Sequence, residues 1–207
     1  MWVVKLGGSL TRDRGLLGWL RMLAEFGGGR VTVVPGGAEF SETVREVQRR
    51  WNFDDLAAHN MATLGMVQTA LMLHSLEPRL VLASQDAEIR QALHAGRPAL
   101  WMPYTALRDA PDTLTSWEVT GDSLALWLAR RLNAERLVLV KACAVPRRHT
   151  LAQLSAAGVV DKRFPLWAVE APFPIEVVQQ DQLAALRDAL VGGTTSDGSG
   201  PSRTSGT

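Results

Sequence analysis

The 207 residues hold 22 lysines and arginines against 21 acids, a net charge of +1 with neutral histidines. So even a balance, with basic residues gathered only in pairs such as Arg49-Arg50, Arg130-Arg131 and Arg147-Arg148, argues against a nucleic-acid partner. Apolar residues make up 46% of the chain without any run of the roughly 18–20 that a membrane span needs, and the single cysteine, Cys143, excludes a disulfide framework and a thiol-based zinc site.

The length fits one domain with a real core. Lys5 interrupts the apolar N-terminal run and no small-residue cleavage pattern follows, so the expectation is a cytoplasmic protein without a signal peptide. The run itself, MWVVKLGGSL, reads as a strand of β-formers that carries Lys5 and breaks on Gly7-Gly8. A buried ammonium needs an anionic partner, and residues without Cβ let backbone N–H groups come close to a ligand. Phosphate suits both, although a strand ending in a Gly-Gly turn with its lysine reaching solvent is the plainer alternative.

Apolar residues at Leu16, Leu17, Trp19, Leu20 and Leu23 predict a helix from Arg14 to Phe26, ended by three glycines. Val31–Val34 is a short apolar strand closed by Pro35-Gly36-Gly37, and Phe40, Val44, Val47 and Trp51 then recur at helical spacing. Asp54 or Asp55 caps a further helix reaching Leu76, ahead of Pro78. Strands at Arg79–Ala83 and Ala99–Met102 flank a short helix near Glu88–Ala95. A polar loop from Tyr104 to Trp117 leads through Thr120-Gly121-Asp122-Ser123 into a helix over Leu124–Leu132, and Leu137–Val140 follows as a buried strand. The remainder predicts a small helix at Leu151–Ala156, a strand or turn at Val159-Val160, a strand at Ile175–Val178 and a last helix from Asp181 to Leu190. Strands alternating with helices imply an α/β fold, a mostly parallel sheet covered on both faces. Residues 1–191 form the domain in this reading, and the Gly/Ser/Thr-rich stretch 192–207 a disordered tail.

In such sheets ligands bind beyond the carboxyl ends of strands, where both glycine pairs lie. Neither pair matches the P-loop or the dinucleotide fingerprint, yet two glycine turns on adjacent strands could hold a polyphosphate between them. His59, His74, His94 and His149 show no metal-ligand spacing, so no protein metal site is expected. Trp19, Trp51 and Trp127 fall on apolar helical faces and predict core or subunit packing.

Taken together, Lys5-Leu6-Gly7-Gly8-Ser9, Val33-Val34-Pro35-Gly36-Gly37 and Thr120-Gly121-Asp122-Ser123-Leu124-Ala125 resemble the amino acid kinase superfamily, which includes aspartokinases, acetylglutamate kinases, uridylate kinases and isopentenyl phosphate kinases. Within it, Phe53-Asp54-Asp55, Ala58-His59-Asn60-Met61-Ala62, Gln68 and Val159-Val160-Asp161-Lys162-Arg163-Phe164-Pro165 resemble the branch of [5-(aminomethyl)furan-3-yl]methyl phosphate kinases that serves methanofuran and methanopterin pathways. The resemblance implies a three-layer α/β/α sandwich, ATP as donor with magnesium arriving on the nucleotide, a small phosphorylated acceptor and a homo-oligomer.

It further implies that Lys5 bridges the transferred phosphoryl group, that the backbone amides of Gly8 and Gly37 stabilise its oxygens, that Gly7, Ser9, Gly36 and Lys141 join them in binding phosphate and nucleotide, and that Asp122 holds the catalytic lysines. Phosphoryl transfer asks mainly for such positioning and charge compensation. The second lysine is Lys162 by motif order, with Lys141, directly after a strand, as the alternative. On the acceptor side stand Arg45, with Arg49 four residues on, Asp54 or Asp55 for an amine, and His59 for an acceptor phosphate. Taken singly, each has a plainer reading: arginines on a solvated helical face, an aspartate as a helix cap, a structural histidine. Two features depart from the family pattern. Ala38 stands where many relatives carry a third glycine, and Lys141-Ala142-Cys143-Ala144-Val145-Pro146-Arg147 lacks the acidic, glycine-containing nucleotide loop. The second departure motivates a rival reading, a non-catalytic binding or scaffold subunit of the same fold.

Overall fold

A computed structural model describes residues 1–146 and 148–192. Arg147 and residues 193–207, which include nearly all of the expected tail, lie outside the described residues; Gly192 ends the last helix. Six strands, β1 (Trp2–Leu6), β2 (Val31–Val34), β3 (Val81–Ala83), β4 (Ala99–Trp101), β5 (Arg136–Lys141) and β6 (Ile175–Gln179), form one parallel sheet in the order β3-β4-β2-β1-β5-β6. Eight helices join them: α1 (Leu16–Phe26), α2 (Ala38–Trp51), α3 (Asp55–Leu76), α4 (Asp86–His94), α5 (Gly121–Arg131), α6 (Leu151–Ala156), α7 (Phe164–Ala168) and α8 (Leu183–Gly192).

Strand alternation divides the apolar side chains into two cores. Val3, Leu137 and Leu139 pack with Ile89 of α4, Leu128 of α5, Leu154 of α6 and Phe164 of α7. Val4, Val138 and Val140 face the other way, against Trp19 and Leu20 of α1, Leu73 of α3 and Leu186 of α8. Covering both faces explains why LVLV in β5 is apolar at every position and why VTVV in β2 is buried throughout, with Thr32 its single polar residue. This is the expected three-layer α/β/α sandwich. From β1 the chain adds β2 beside it, passes out to the edge strand β3 and comes back to insert β4 between β3 and β2, then crosses to the opposite side of β1 with β5, so the strand order reverses at β1.

Several elements differ from expectation at their ends. Helix α5 starts at Gly121 rather than Leu124, because its first turn is secured by a distant carboxylate that local pattern does not reveal. Val159-Val160 is a turn whose Val160 is buried, and the short α7 after it was not anticipated, its start marked by Pro165 in the first turn. A 3-10 turn at Gln180–Gln182 delays the last helix to Leu183. Trp19 is core and donates to the Gln180 carbonyl at 2.9 Å, and Trp127 packs against Trp101, but Trp51 is 72% exposed. Helix α2 buries only Ala38 and Val44, so its last turn runs beyond the sheet.

At the carboxyl ends of β1 and β2 the two glycine turns touch backbone to backbone. A Cβ on Gly36 would stand 2.3 Å from the Gly8 nitrogen, and one on Gly8 would stand 2.8 Å from the Ala38 nitrogen. Ala38 holds a left-handed φ of 48°, a backbone that costs an alanine more than a glycine. Gly36→Ala is therefore expected to cost about 1–3 kcal/mol by forcing the turns apart. Gly96→Ala, at φ +71° with nothing near its Cβ, costs about 1 kcal/mol of backbone strain alone. Urea melts of the two variants check the order, and a smaller loss for Gly36→Ala would show that the turns do not meet.

Candidate active site

Strand parity aims the charged side chains. Lys5 is two residues from Val3, and Lys141 two and four from Leu139 and Leu137, so both point to the face covered by α5. There Asp122, in the first turn of α5, meets both. Its Oδ1 accepts from Lys5 Nζ at 2.9 Å, and its two oxygens accept from Lys141 Nζ at 2.7 Å each. All three side chains are buried, and a carboxylate at the N-terminal end of a helix is favoured by the exposed backbone N–H groups there. Lys5 thus has the anionic partner its position demands.

Burial pushes the Asp122 carboxyl up, but the charges of Lys5 and Lys141 outweigh this and hold it at about 2. Burial, and then the neighbouring Lys5 charge, lower Lys141 to about 8, against the opposing pull of Asp122 and Asp161. Two cations share one carboxylate, which leaves unbalanced positive charge at the switch point of the sheet.

Asp161, which sequence reasoning named only within a motif, fixes the start of α5. Its Oδ2 accepts from the Thr120 and Ser123 amides at 2.9 and 3.0 Å and from Thr120 Oγ1 at 3.0 Å. Its Oδ1 accepts from Ser123 Oγ at 2.5 Å and the Phe164 amide at 2.9 Å. A helix cap supplied from some 40 residues away has no local signature.

Two adjoining cavities meet at Lys5 and Gly8. The inner one, about 360 Å³, reaches from Gly36 and Gly37 along α2 and α3 to Gly121. The outer one, about 750 Å³, is lined by Gly7, Gly8, Ser9, Asp122, Lys141, Cys143 and the 158–162 turn. The sequence candidates distribute between them. Ser9, Lys141 and Lys162 lie on the outer cavity, His59 on the inner, and Arg45 on both. Lys162, preferred on motif order, makes no ion pair with Asp122 among the described residues; Lys141 does, because β5 lies beside β1 whereas the 158–162 turn stands across the outer cavity. Asp54 lines neither cavity: its side chain accepts from the Ala57 amide at 2.8 Å and caps α3, while Asp55 faces both cavities.

Trp117, absent from the candidate residues, walls both cavities. The Arg45 guanidinium lies 4.1 Å from its ring centre, its Nε1 donates to Gln48 Oε1 at 2.5 Å, and Gln48 Nε2 donates to Asp55 Oδ1 at 2.9 Å. Burial lowers the Arg45 pKa, with Arg49 acting the same way and Glu42 opposing. Among the described residues no group of three or more His, Cys, Asp or Glu is placed to hold a metal ion. A cation carried on phosphate oxygens needs no such group.

The depressed Asp122 pKa stabilises the fold at pH values above the carboxyl's unfolded value near 4, and that contribution is lost as pH falls through about 2. It amounts to roughly 2 kcal/mol. Urea melts between pH 5 and 3 should show stability falling more steeply in the wild type than in Asp122→Asn; equal slopes would mean that the carboxyl is not held by the lysines.

The sequence model of the amino acid kinase family matches residues 1–144, which contain β1 to β5, both glycine turns, Asp122 and Lys141. The chain is 26% identical over 142 residues to the [5-(aminomethyl)furan-3-yl]methyl phosphate kinase of Methanocaldococcus jannaschii, a stretch that covers 67% of this chain and 64%, less than two thirds, of that protein. The UMP kinase of Bacillus anthracis superposes with a TM-score of 0.66 at 16% identity, covering 92% of this chain and 91% of its own. An isopentenyl phosphate kinase superposes at 0.60 and 16% identity over 93% and 96%. These two likenesses concern the fold, and they agree with the parallel sandwich described above. With its glycine turns and the Lys5-Asp122-Lys141 cluster inside the matched region, the chain belongs to the amino acid kinase family.

Proposed function

We propose that this protein transfers the γ-phosphoryl group of ATP to the phosphate of a small phosphomonoester, giving a diphosphate, and that the acceptor is an aminomethylfuran phosphate. The observation that carries the reading is the meeting of two cavities at Lys5 and Gly8, beside the Asp122 carboxylate shared by Lys5 and Lys141. In this reading the nucleotide phosphates enter the outer cavity over Gly7, Gly8 and Ser9, and the acceptor occupies the inner one. Lys5, on both cavities, faces the group in flight, and the amides of Gly8 and Gly37 accompany its oxygens. Asp122 positions both lysines, and Lys141, in place of Lys162, is the second lysine. Bound magnesium would neutralise nucleotide phosphate oxygens. This division of labour matches what phosphoryl transfer requires, positioning and charge compensation with little covalent help.

The acceptor's identity is drawn from the M. jannaschii relative, whose name specifies an aminomethylfuran phosphate. Arg45, on both cavities with its guanidinium over the Trp117 ring, suits an acceptor phosphate. The reading extends to a cytoplasmic protein that assembles with copies of itself. Among the described residues no helix is long and apolar enough to cross a membrane, and Met61, Leu64 and Leu71 recur, exposed, along α3.

Purified protein with ATP and magnesium is expected to form ADP only when the furan phosphate or a related phosphomonoester is added. Lys5→Met should lower turnover by orders of magnitude in a protein that still folds, with a melting temperature reduced only by the loss of one of the two cations that hold Asp122. Absence of turnover in the wild type, together with no thermal stabilisation by ATP, would leave the non-catalytic binding subunit as the reading. Two further outcomes refine the roles. Arg45→Ala should raise KM for the phosphorylated acceptor more than for ATP, and equal effects would remove it from the acceptor site. Since Lys141 loses its proton at about 8 in the free protein, kcat/KM for ATP should decline as pH rises through that value. A pH profile flat to pH 9.5 would mean that Lys141 keeps its proton through that range, and an unchanged kcat/KM for ATP in Lys141→Met would remove it from phosphate binding.

A further inference from the structure

The floor of the inner cavity holds two polar side chains that none of the proposed steps uses. His59 and Thr63 stand four residues apart on one face of α3, and both line the cavity while only 8% and 2% exposed. His59 Nε2 lies 3.1 Å from the Ala106 carbonyl oxygen. A carbonyl can only accept, so Nε2 carries the proton and, in the neutral ring, Nδ1 is bare. Burial lowers the imidazole pKa, outweighing the carbonyl bond that raises it, so the ring is neutral at pH 7. Neither Nδ1 of His59 nor Oγ1 of Thr63 has a partner among the described residues, and neither is sealed from solvent; the cavity is the space they share. Met66, Val119 and Leu124 close the floor around them with apolar surface.

We propose that this floor is a subsite for a hydrogen-bond donor on the acceptor molecule, specifically a primary amine, accepted by Nδ1 of His59 and Oγ1 of Thr63. The inference rests on the phosphotransfer reading for what occupies the cavity. A bare ring nitrogen repels phosphate oxygen, so His59 reads the end of the acceptor remote from the transferred group, and not its phosphate. Asp55 on the same cavity, steadied by Gln48, offsets the charge of an ammonium form. The floor thereby distinguishes an amine-bearing ring from an equally sized apolar one.

The test is calorimetric titration of the full chain, without nucleotide, with [5-(aminomethyl)furan-3-yl]methyl phosphate and with the analogue bearing ethyl, the apolar group of equal size, in place of aminomethyl. The wild type should bind the amine about tenfold more tightly. Thr63→Val and His59→Phe should each abolish that preference while leaving the ethyl compound within about twofold, and Thr63→Ser should keep the preference. Nitrogen-15 spectra of the free protein at pH 7 should show His59 with a protonated Nε2 and a bare Nδ1. If loss of the Ala106 bond unfolds His59→Phe, Thr63→Val and the spectra carry the test. Equal wild-type affinity for both compounds, or a preference that survives Thr63→Val, overturns the subsite, and acceptor-dependent ADP formation in the same preparation shows that phosphotransfer stands without it. Binding of neither compound, with no such turnover, overturns the functional reading and the subsite with it.

Discussion

Asp122 lies between the ammonium groups of Lys5 and Lys141, and three charges buried side by side persist only where their geometry compensates for lost water. That requirement binds distant parts of the chain together. β5 must pair with β1, both lysines must fall on the same strand parity, and the first turn of α5 must face them across the sheet. The Asp161 carboxylate, with five hydrogen bonds to the residues that open α5 and α7, holds that turn in place from the far side of the cavity. The cluster is thus both a structural keystone and a source of positive charge at the point where the strand order reverses.

The glycines serve the same centre by a different constraint. Gly8, Gly36 and Ala38 bring the ends of β1 and β2 within backbone contact, which no larger residue at Gly36 permits. Removing side chains there leaves amides and the Lys5 charge as the surface that a ligand meets, a chemistry suited to phosphate oxygens. On one side the surface opens to a wide polar cavity, and on the other to a narrower one whose floor is apolar except for His59 and Thr63. The two cavities therefore differ in the kind of molecule they suit, although Lys5 and Gly8 belong to both.

Much of this was legible in the chain itself. Short apolar runs placed the six described strands and helical periodicity most of the helices between them, and the lysine in the first strand with glycines after it pointed to an anionic ligand. A cap at Asp54 or Asp55 and a packed Trp19 followed from local rules, but only the structure gave the cap to Asp54 and turned Asp55, in place of Asp54, to the cavities. Motif order, by contrast, favoured Lys162, since order along the chain says nothing about which strand lies beside β1. Trp51 was read by its helical phase, but phase does not show where a helix outruns the sheet it covers. Asp55 and Trp117 became cavity residues through the bend between α2 and α3 and the loop before α5, for which the sequence carries no periodic signal.

What the sequence by itself determined is the set of elements and the need for a partner to Lys5, because periodic burial and the cost of a lone buried charge are local to each segment. Which anion answers that need, which lysine shares it, what secures the start of α5 and which polar atoms face the inner cavity were decided only by the tertiary structure. Those facts depend on contacts between residues 19 to 136 positions apart, Lys141 with Asp122 and with Lys5 among them, and such contacts exist only once the parallel strands have chosen their neighbours.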